Sequence, residues 1–82
     1  MVDNKYQVFV KEGCSKCQEI VDFMKSSNLN TQIIDVSTKE GFILSQKNKI
    51  LKLPTVIMLD KKNNVIDLVY TLKEFQENNI KN

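Results

Sequence analysis

The alternation of apolar and polar positions along the chain predicts four short strands. Each run is rich in β-branched or aromatic residues and is bounded by polar or turn-forming ones. The runs occupy residues 6–10, 31–36, 55–59 and 65–70. The third opens after Pro54 and is almost continuously apolar, which is typical of a central, buried strand. Residues 60–64 form a polar turn cluster, so the third and fourth strands are expected to form an antiparallel hairpin.

Between the first two strands the apolar period becomes helical. Cys17, Ile20, Val21 and Met24 recur at i, i+3, i+4 and i+7, which predicts an amphipathic helix. This helix is expected to start at Cys14 and to end at the polar residues 26–28. The first strand therefore turns directly into a helix that contains both cysteines.

A second helix is predicted after the second strand. Ser37 and Glu40 have the spacing of a capping box, which satisfies free N–H groups at a helix start. The expected apolar face of this helix consists of Phe42, Ile43, Gln46 and Ile50. Lys47, Lys49 and Lys52 lie near its end and are interpreted as a solvated face that complements the helix C-terminus. Docking of an acidic partner is the alternative interpretation of these lysines.

A last helix is predicted by the same spacing at Thr71 and Glu74, where the Thr71 hydroxyl would cap the N–H of Glu74. The apolar residues of this helix would be Leu72, Phe75 and Ile80. The predicted order of elements is β-α-β-α-β-β-α. The first two strands should be parallel with a right-handed crossover, and the hairpin makes the sheet mixed. We therefore expect one α/β domain over residues 1–82, a four-stranded mixed sheet flanked by helices.

The composition is that of a small globular domain and excludes several classes of chemistry. The 82 residues have a formal net charge of +2, with 41% hydrophobic and 27% charged residues. The chain has no His, which excludes Ser-His and Cys-His pairs and imidazole zinc sites. All 12 basic residues are Lys, so bidentate guanidinium contacts to phosphate or guanine are absent, and we expect no nucleic-acid partner.

The sequence also gives an expected location. No apolar run approaches the roughly 20 residues that a membrane span needs, so we expect no membrane partner. The residues after Met1 do not resemble a signal peptide, because the apolar stretch that follows is short and no small-residue cleavage site comes after it. These features predict a cytoplasmic protein.

The two cysteines, Cys14 and Cys17, lie where the first strand turns into the first helix. At a helix N-terminus the free backbone N–H groups and the positive end of the dipole favour a thiolate. We therefore predict that the pKa of the Cys14 thiol lies below its free value of about 8.5. The i, i+3 spacing also brings both sulfurs to one face, close enough for a disulfide without backbone movement.

Four neighbouring residues are expected to support this pair. Lys11 and Lys16 each add positive charge near the sulfurs, and Gly13 removes a side chain just before Cys14, which would help to expose its sulfur. Ser15 fills the remaining position of the motif. A Cys-x-x-Cys motif at a strand-to-helix junction favours redox chemistry. A metal or cluster site and inert packing of the helix face stay open as alternatives.

The chain resembles the glutaredoxin and thioredoxin-like superfamily over essentially its whole length. The resemblance rests on a strand followed by Lys11–Cys17 (KEGCSKC) and a helix, with Leu53–Val56 (LPTV) about forty residues later. Lys three residues before the first Cys, with Gly between them, is specifically similar to glutaredoxins and to the small glutaredoxin-like electron donors of ribonucleotide reductase. Thioredoxins instead have Trp before the motif, and this chain has no Trp.

The sequence departs from the usual glutaredoxin pattern at three places. Ser15 and Lys16 replace Pro-Tyr between the cysteines, and Lys52 and Leu53 replace Thr-Val before the proline. Residues 70–73 replace the Gly-Gly and acidic residues that open the last helix and hold glutathione. Because those glycines let the backbone approach the ligand closely, we predict that glutathione binds poorly here.

The resemblance implies a thioredoxin-like fold and a role for each site residue. Cys14 would be the nucleophile and Cys17 the resolving cysteine. The peptide bond before Pro54 would be cis, and this turn would face the cysteines and leave its backbone free to pair with a substrate strand. The substrate-binding residues would be Leu53, Pro54, Thr55, Tyr70 and Thr71.

These inferences predict a small thiol-disulfide oxidoreductase that reduces protein or small-molecule disulfides by a dithiol mechanism. We expect a monomer whose redox-active group is the Cys14–Cys17 disulfide, with no metal or other cofactor and with glutathione at most a weak ligand. Its partners would be a disulfide-containing protein and a reductase or glutathione. The alternatives are an iron–sulfur or metal-binding module that uses both cysteines in a dimer, and a redox-silent interaction domain.

Overall fold

The computed structural model describes residues 5–74, and within them the chain forms the predicted strands and the first two predicted helices. The elements are β1 (Lys5–Val10), α1 (Ser15–Ser26), β2 (Thr31–Asp35), α2 (Lys39–Lys47), β3 (Thr55–Leu59) and β4 (Val65–Val69). Residues 72–74 begin a further helical segment, as predicted. Phe75 and Ile80, which were assigned to the apolar face of that helix, lie outside the described residues. No helix within residues 5–74 is long and apolar enough to cross a membrane.

The four strands form one mixed sheet in the order β2-β1-β3-β4. β1 is parallel to β2 and antiparallel to β3, and β3 is antiparallel to β4. This confirms the parallel first pair and the closing hairpin. All five residues of β3 are buried, because this strand has a neighbour on each side and a helix-covered sheet face above and below.

Each face of the sheet has its own apolar core. On the α1 side the helix stripe predicted from the sequence is buried and packs with the inward-facing residues of β1, β3 and β4. The buried residues there are Tyr6, Val8, Ile20, Val21, Met24, Val56, Met58 and Val69. On the other side Phe9, Ile34, Ile57 and Leu59 are buried, and Leu44 of α2 packs against them. The α/β layering therefore follows from the alternation of the strands.

The start and the packing face of α2 differ from the prediction. Its N-cap is Thr38, whose hydroxyl accepts the N–H of Gly41 at 3.0 Å, so the expected box at Ser37 and Glu40 was wrong by one residue. The Ser37 hydroxyl donates instead to Asp35. The predicted apolar face was wrong at Phe42 and Ile43, which are 56% and 53% exposed, whereas Ile50, after the end of the helix, packs against the core on this side. The helix buries Gly41 and Ser45 because small residues let it lie close to the end of β2.

The strand register brings the cysteine loop and the turn before β3 to one end of the sheet, the edge formed by the ends of neighbouring strands. Val10 at the end of β1 pairs with Asp35, and Phe9 pairs with Thr55 at the start of β3. Val56 in turn pairs with Val69 at the end of β4. The loop with the cysteines, the turn at residues 52–54 and the residues after β4 therefore lie side by side at this edge.

Candidate active site

Cys14 is the N-cap residue of α1. Its backbone is extended (φ −94°, ψ 106°), and the N–H of Cys17 points at its sulfur with an N–S distance of 3.2 Å. The Cys14 carbonyl accepts the N–H of Gln18 at 3.2 Å, which starts the helix. The Cys14 sulfur thus takes the place of the oxygen of a usual Ser or Asp cap, at the positive end of the helix dipole. This is the environment from which the sequence predicted a stabilised thiolate.

Cys14 and Cys17 form a disulfide across one turn, with their α-carbons 5.2 Å apart. Cys17 is only 2% exposed and lies in the apolar stripe of α1, whereas Cys14 is half-buried. Cys17 is thus the more buried of the two, in keeping with its predicted place in the apolar stripe. A substrate that approaches from solvent reaches the Cys14 sulfur first.

The loop before Cys14 depends on the backbone of Gly13. Gly13 has φ +83°, which L side chains rarely adopt, and the N–H of Cys14 donates to the Lys11 carbonyl at 3.3 Å across the turn. A β-carbon at this position would meet nothing within 4 Å. The glycine therefore suits the shape of the turn, and its contribution to the exposure of the Cys14 sulfur stays a prediction.

The polar residues that were predicted to support the cysteines lie on the surface of the protein. Lys11, Ser15 and Lys16 are all exposed, as is Glu12. A cleft of about 290 Å³ opens beside the disulfide. Its lining consists of Val10, Lys11, Glu12, Gly13, Cys14, Cys17, Gln18, Val21 and Asp35. Both cysteines line this cleft, but Ser15 and Lys16 are not part of it.

Asp35 lines this cleft although it lies far from the cysteine motif in the sequence, which does not indicate it as a site residue. Its carboxylate accepts the Ser37 hydroxyl at 2.6 Å and the Ser37 N–H at 2.8 Å. These hydrogen bonds hold the pKa of Asp35 below its ordinary value of 3.8, so the cleft contains a carboxylate at neutral pH. The predicted parallel pairing of the first two strands could have placed it here, because parallel strands end at the same sheet edge.

The turn before β3 has the predicted backbone conformation, and the side chain of its threonine forms a hydrogen bond within the turn. The Leu53–Pro54 peptide bond is cis, the isomer that the resemblance implied. The Thr55 hydroxyl donates to the Lys52 carbonyl at 2.6 Å, and Thr55 is only 1% exposed. The Thr55 side chain therefore closes the turn, and the role of Thr55 in substrate binding, which was expected of the backbone here, stays a prediction. Leu53 is half-buried and packs against the core on the α2 side.

Tyr70 and Thr71 lie on the other side of this turn. Tyr70 is 39% exposed, and the Lys52 ammonium lies 5.3 Å from its ring centroid, a cation–π contact worth about 0.5–1 kcal/mol at an exposed site. The Thr71 hydroxyl accepts the N–H of Glu74 at 3.1 Å, which confirms the predicted cap. The Glu74 carboxylate in turn accepts the N–H of Tyr70 at 3.2 Å. No local pattern of the sequence indicates the contact between Lys52 and Tyr70.

The residues of the described part offer no ready metal site. Within residues 5–74 no group of three or more His, Cys, Asp or Glu side chains is placed to hold a metal ion. Two thiolates are half of a four-ligand cluster site, so another molecule would have to complete one.

Comparison with known proteins identifies the fold. No protein-family model and no curated protein sequence matches the chain. Among solved structures, reduced Schistosoma mansoni thioredoxin pre-protein superposes with a TM-score of 0.78 and 17% identity, over 96% of this chain and 76% of that one. Thioredoxin 1 from Thermosipho africanus superposes with a TM-score of 0.72 and 23% identity, over 94% of both chains. The chain has the thioredoxin fold.

A third similar structure is a complex of ferredoxin:thioredoxin reductase and thioredoxin f2. Its matched chain superposes with a TM-score of 0.76 and 17% identity, over 95% of this chain and 74% of that one. All three similarities are at low sequence identity and concern the fold. The chemistry of this chain must be argued from its own residues.

Proposed function

We propose that the protein is a small, glutaredoxin-like thiol-disulfide oxidoreductase that reduces disulfides by a dithiol mechanism. The observation that supports this most is the disulfide between a half-buried Cys14 at the N-cap of α1 and a buried Cys17 one turn later. Its place at the sheet edge beside a cis-proline turn adds support. In this arrangement the Cys14 sulfur is accessible to a partner, and the buried Cys17 sulfur can react only with Cys14.

The first step is attack by the Cys14 thiolate on one sulfur of a substrate disulfide. A bond forms between that sulfur and Cys14, the substrate S–S bond breaks, and the second substrate sulfur leaves as a thiolate that takes a proton from solvent. The N–H of Cys17, directed at the Cys14 sulfur, stabilises the attacking charge. The product is a mixed disulfide between Cys14 and the substrate.

The second step releases the substrate. Cys17 loses its proton and attacks the Cys14 sulfur, which forms the observed disulfide and breaks the mixed one. The substrate sulfur leaves as a thiolate and is protonated. Two electrons have then passed from the two cysteines to the substrate, which has gained two thiol groups.

A reductase or glutathione must then return two electrons to the Cys14–Cys17 pair. A thioredoxin of similar fold forms a complex with ferredoxin:thioredoxin reductase, which supports a reductase as the partner. Glutathione is the weaker candidate, because Thr71 uses its hydroxyl for capping and Tyr70 occupies the place where glycines would admit the ligand. We propose a cytoplasmic monomer in this role.

The proposal is tested by one turnover of the pre-reduced protein, which needs no reductase. The reduced protein is mixed with insulin, and free thiols together with the Cys14–Cys17 disulfide are quantified by alkylation and mass spectrometry. Wild type should reduce one insulin disulfide per molecule, and Cys14→Ser should reduce none. Ser15→Ala, which changes the neighbouring residue and keeps both thiols, is the matched control. Absence of reduction by both proteins would contradict the proposal and favour a redox-silent domain, and equal, measurable reduction by both would show that Cys14 is not the nucleophile.

A further inference from the structure

A lysine and a tyrosine are in contact at the rim of the site on the β3–β4 side. The Lys52 ammonium lies 5.3 Å from the Tyr70 ring centroid, and both side chains are exposed. The backbone of Lys52 is fixed as well, since its carbonyl accepts the Thr55 hydroxyl at 2.6 Å. The charge at this rim is therefore held in one place, unlike that of a lysine free in solvent.

The order of the strands gives the lateral separation between the strand that leads to Cys14 and the strand that ends before Tyr70. Tyr70 follows β4, and β4 lies two strands away from β1, which leads into Cys14. Neighbouring strands are about 4.8 Å apart, so this separation across the sheet is roughly 10 Å. An extended peptide covers that distance in about three residues. A substrate segment bonded to Cys14 can thus reach Lys52 within two or three residues of its own cysteine.

We propose that Lys52, held against the Tyr70 ring, makes the site selective for disulfides with a carboxylate within two or three residues of the attacked cysteine. This inference rests on the proposed function, because it names the substrate class of the same site. The ammonium has three N–H donors, so those that do not face the ring can bind a carboxylate. Because the ring already restricts the long side chain, less conformational entropy is lost when the carboxylate binds.

The neighbouring charges are compatible with this assignment. Glu74 is the carboxylate beside Tyr70, and one of its oxygens already accepts the Tyr70 N–H and the Thr71 hydroxyl. Asp35 lies at the end of β2, on the opposite side of the cysteine loop, and is hydrogen-bonded to Ser37. The substrate carboxylate therefore meets the cation of Lys52 first on this side of the site.

The test uses two synthetic peptides that differ only in charge. Acetyl-Glu-Ala-Cys-Ala-Glu-amide and acetyl-Gln-Ala-Cys-Ala-Gln-amide are each prepared as the mixed disulfide with 2-thiopyridine, an uncharged leaving group. The Cys14 thiolate attacks the peptide sulfur and releases 2-thiopyridone, whose absorbance gives the rate, and Cys17 then displaces the peptide thiol. The pre-reduced protein supplies both electrons, and the measured quantity is the ratio of the two rates.

The ratio should favour the Glu peptide about two- to fivefold at low salt, which is the size of an exposed ion pair, and fall towards one as salt is added. Lys52→Met should lower the preference to the part that Lys11 and Lys16 contribute, and Lys52→Glu should lower it further. Tyr70→Leu, which frees the lysine, should lower the ratio, whereas Tyr70→Phe, which keeps the ring, should retain it. Lys62→Gln in the β3–β4 turn, at the far end of the sheet, changes net charge equally and should leave rates and ratio unchanged.

The outcomes separate this inference from the proposed function. A wild-type ratio of one, or a preference that is undiminished in Lys52→Glu, would overturn the inference while the oxidoreductase function stands. Release of 2-thiopyridone from neither peptide, or equal release by Cys14→Ser, would overturn the proposed function and the selectivity with it. Loss of the preference in Lys62→Gln as well would attribute it to net charge and would also overturn the inference.

Discussion

The backbone of Gly41 lies directly against the carbonyl group of Asp35. A β-carbon at position 41 would overlap the Asp35 carbonyl oxygen and lie 2.6 Å from its carbon. The same carbonyl accepts the N–H of Thr38 at 3.1 Å and its hydroxyl at 2.8 Å. The end of β2 and the first turn of α2 are thereby joined into one tightly packed unit beside the cysteine loop.

Gly41→Ala should therefore destabilise the protein by about 1–3 kcal/mol or more, because backbone atoms cannot move aside as a flexible side chain would. Gly13→Ala is the comparison, since its position is open and only its positive φ is unfavourable, at a cost of about 1–2 kcal/mol. Urea unfolding followed by circular dichroism measures both. Wild-type stability in Gly41→Ala would show that α2 does not pack against β2 as described.

Cys17→Ser should convert the protein from a catalyst of release into a trap. The variant keeps the Cys14 nucleophile and the helix N-terminus, but it cannot resolve the mixed disulfide. After incubation with insulin, non-reducing mass spectrometry should show a covalent adduct of one protein and one insulin chain. Cys14→Ser should give none. Turnover of a protein disulfide by Cys17→Ser at the wild-type rate would refute the dithiol mechanism.

Glutathione should bind only weakly. Lys11 can attract one of its carboxylates, but an exposed ion pair contributes only about 0–1 kcal/mol. The Thr71 hydroxyl already donates to the Glu74 carboxylate at 3.3 Å, so it does not donate to the other carboxylate. Chemical-shift titration with reduced or oxidised glutathione should give small, scattered changes. Saturable binding at micromolar concentration, centred on residues 70–73, would contradict this expectation and indicate a glutathione-dependent enzyme.

The turn between β3 and β4 should make stability depend on pH through Asp60. Its carboxylate accepts the N–H of Asn64 at 2.9 Å and that of Lys62 at 2.8 Å, and these bonds hold the pKa of Asp60 below its ordinary 3.8. A carboxyl whose pKa is lowered by folding stabilises the protein above its unfolded pKa, and this contribution is lost as pH falls through the folded value. Part of the stability should therefore disappear between about pH 5 and pH 2.

Asp60→Asn removes this titration, so its melting temperature should fall less steeply with acid than that of wild type. Asp22→Asn is the matched control, since Asp22 lies on the exposed face of α1 and accepts one hydrogen bond, from the side-chain amide of Gln18. Asp35, whose pKa is lowered by Ser37, will contribute in the same direction in all three proteins. Identical acid profiles for wild type and Asp60→Asn would show that the turn does not stabilise the ionised carboxylate.

Local patterns were sufficient to predict most of the fold. Strand alternation and the stripe of α1 depend on burial of neighbouring apolar residues, which a sequence displays directly. The face of α2 could not be obtained in this way, because the helix approaches β2 through Gly41 and Ser45 and leaves Phe42 and Ile43 exposed. A close backbone approach leaves no apolar period in the sequence. The predicted period therefore selected the wrong residues.

In the candidate site too, local features could be predicted from the sequence and tertiary contacts could not. Cys14 and Cys17 are close in sequence, so their spacing and the helix start were enough to predict their geometry. The Lys52–Tyr70 contact joins residues on two different strands' ends, and Asp35 reaches the cleft only through strand register. Such contacts depend on tertiary structure, which no single segment of the chain specifies.

The unequal exposure of Cys14 and Cys17 also sets how long a partner stays attached under the proposed chemistry. A resolving sulfur one helical turn away acts at the high effective molarity of an oriented intramolecular group, whereas thiols in solution must first collide with the mixed disulfide. Since Cys17 is buried, outside molecules cannot consume it first. The lifetime of each mixed disulfide is therefore set by the rate of an intramolecular step, the attack of Cys17 on Cys14, and not by the concentration of thiols in solution.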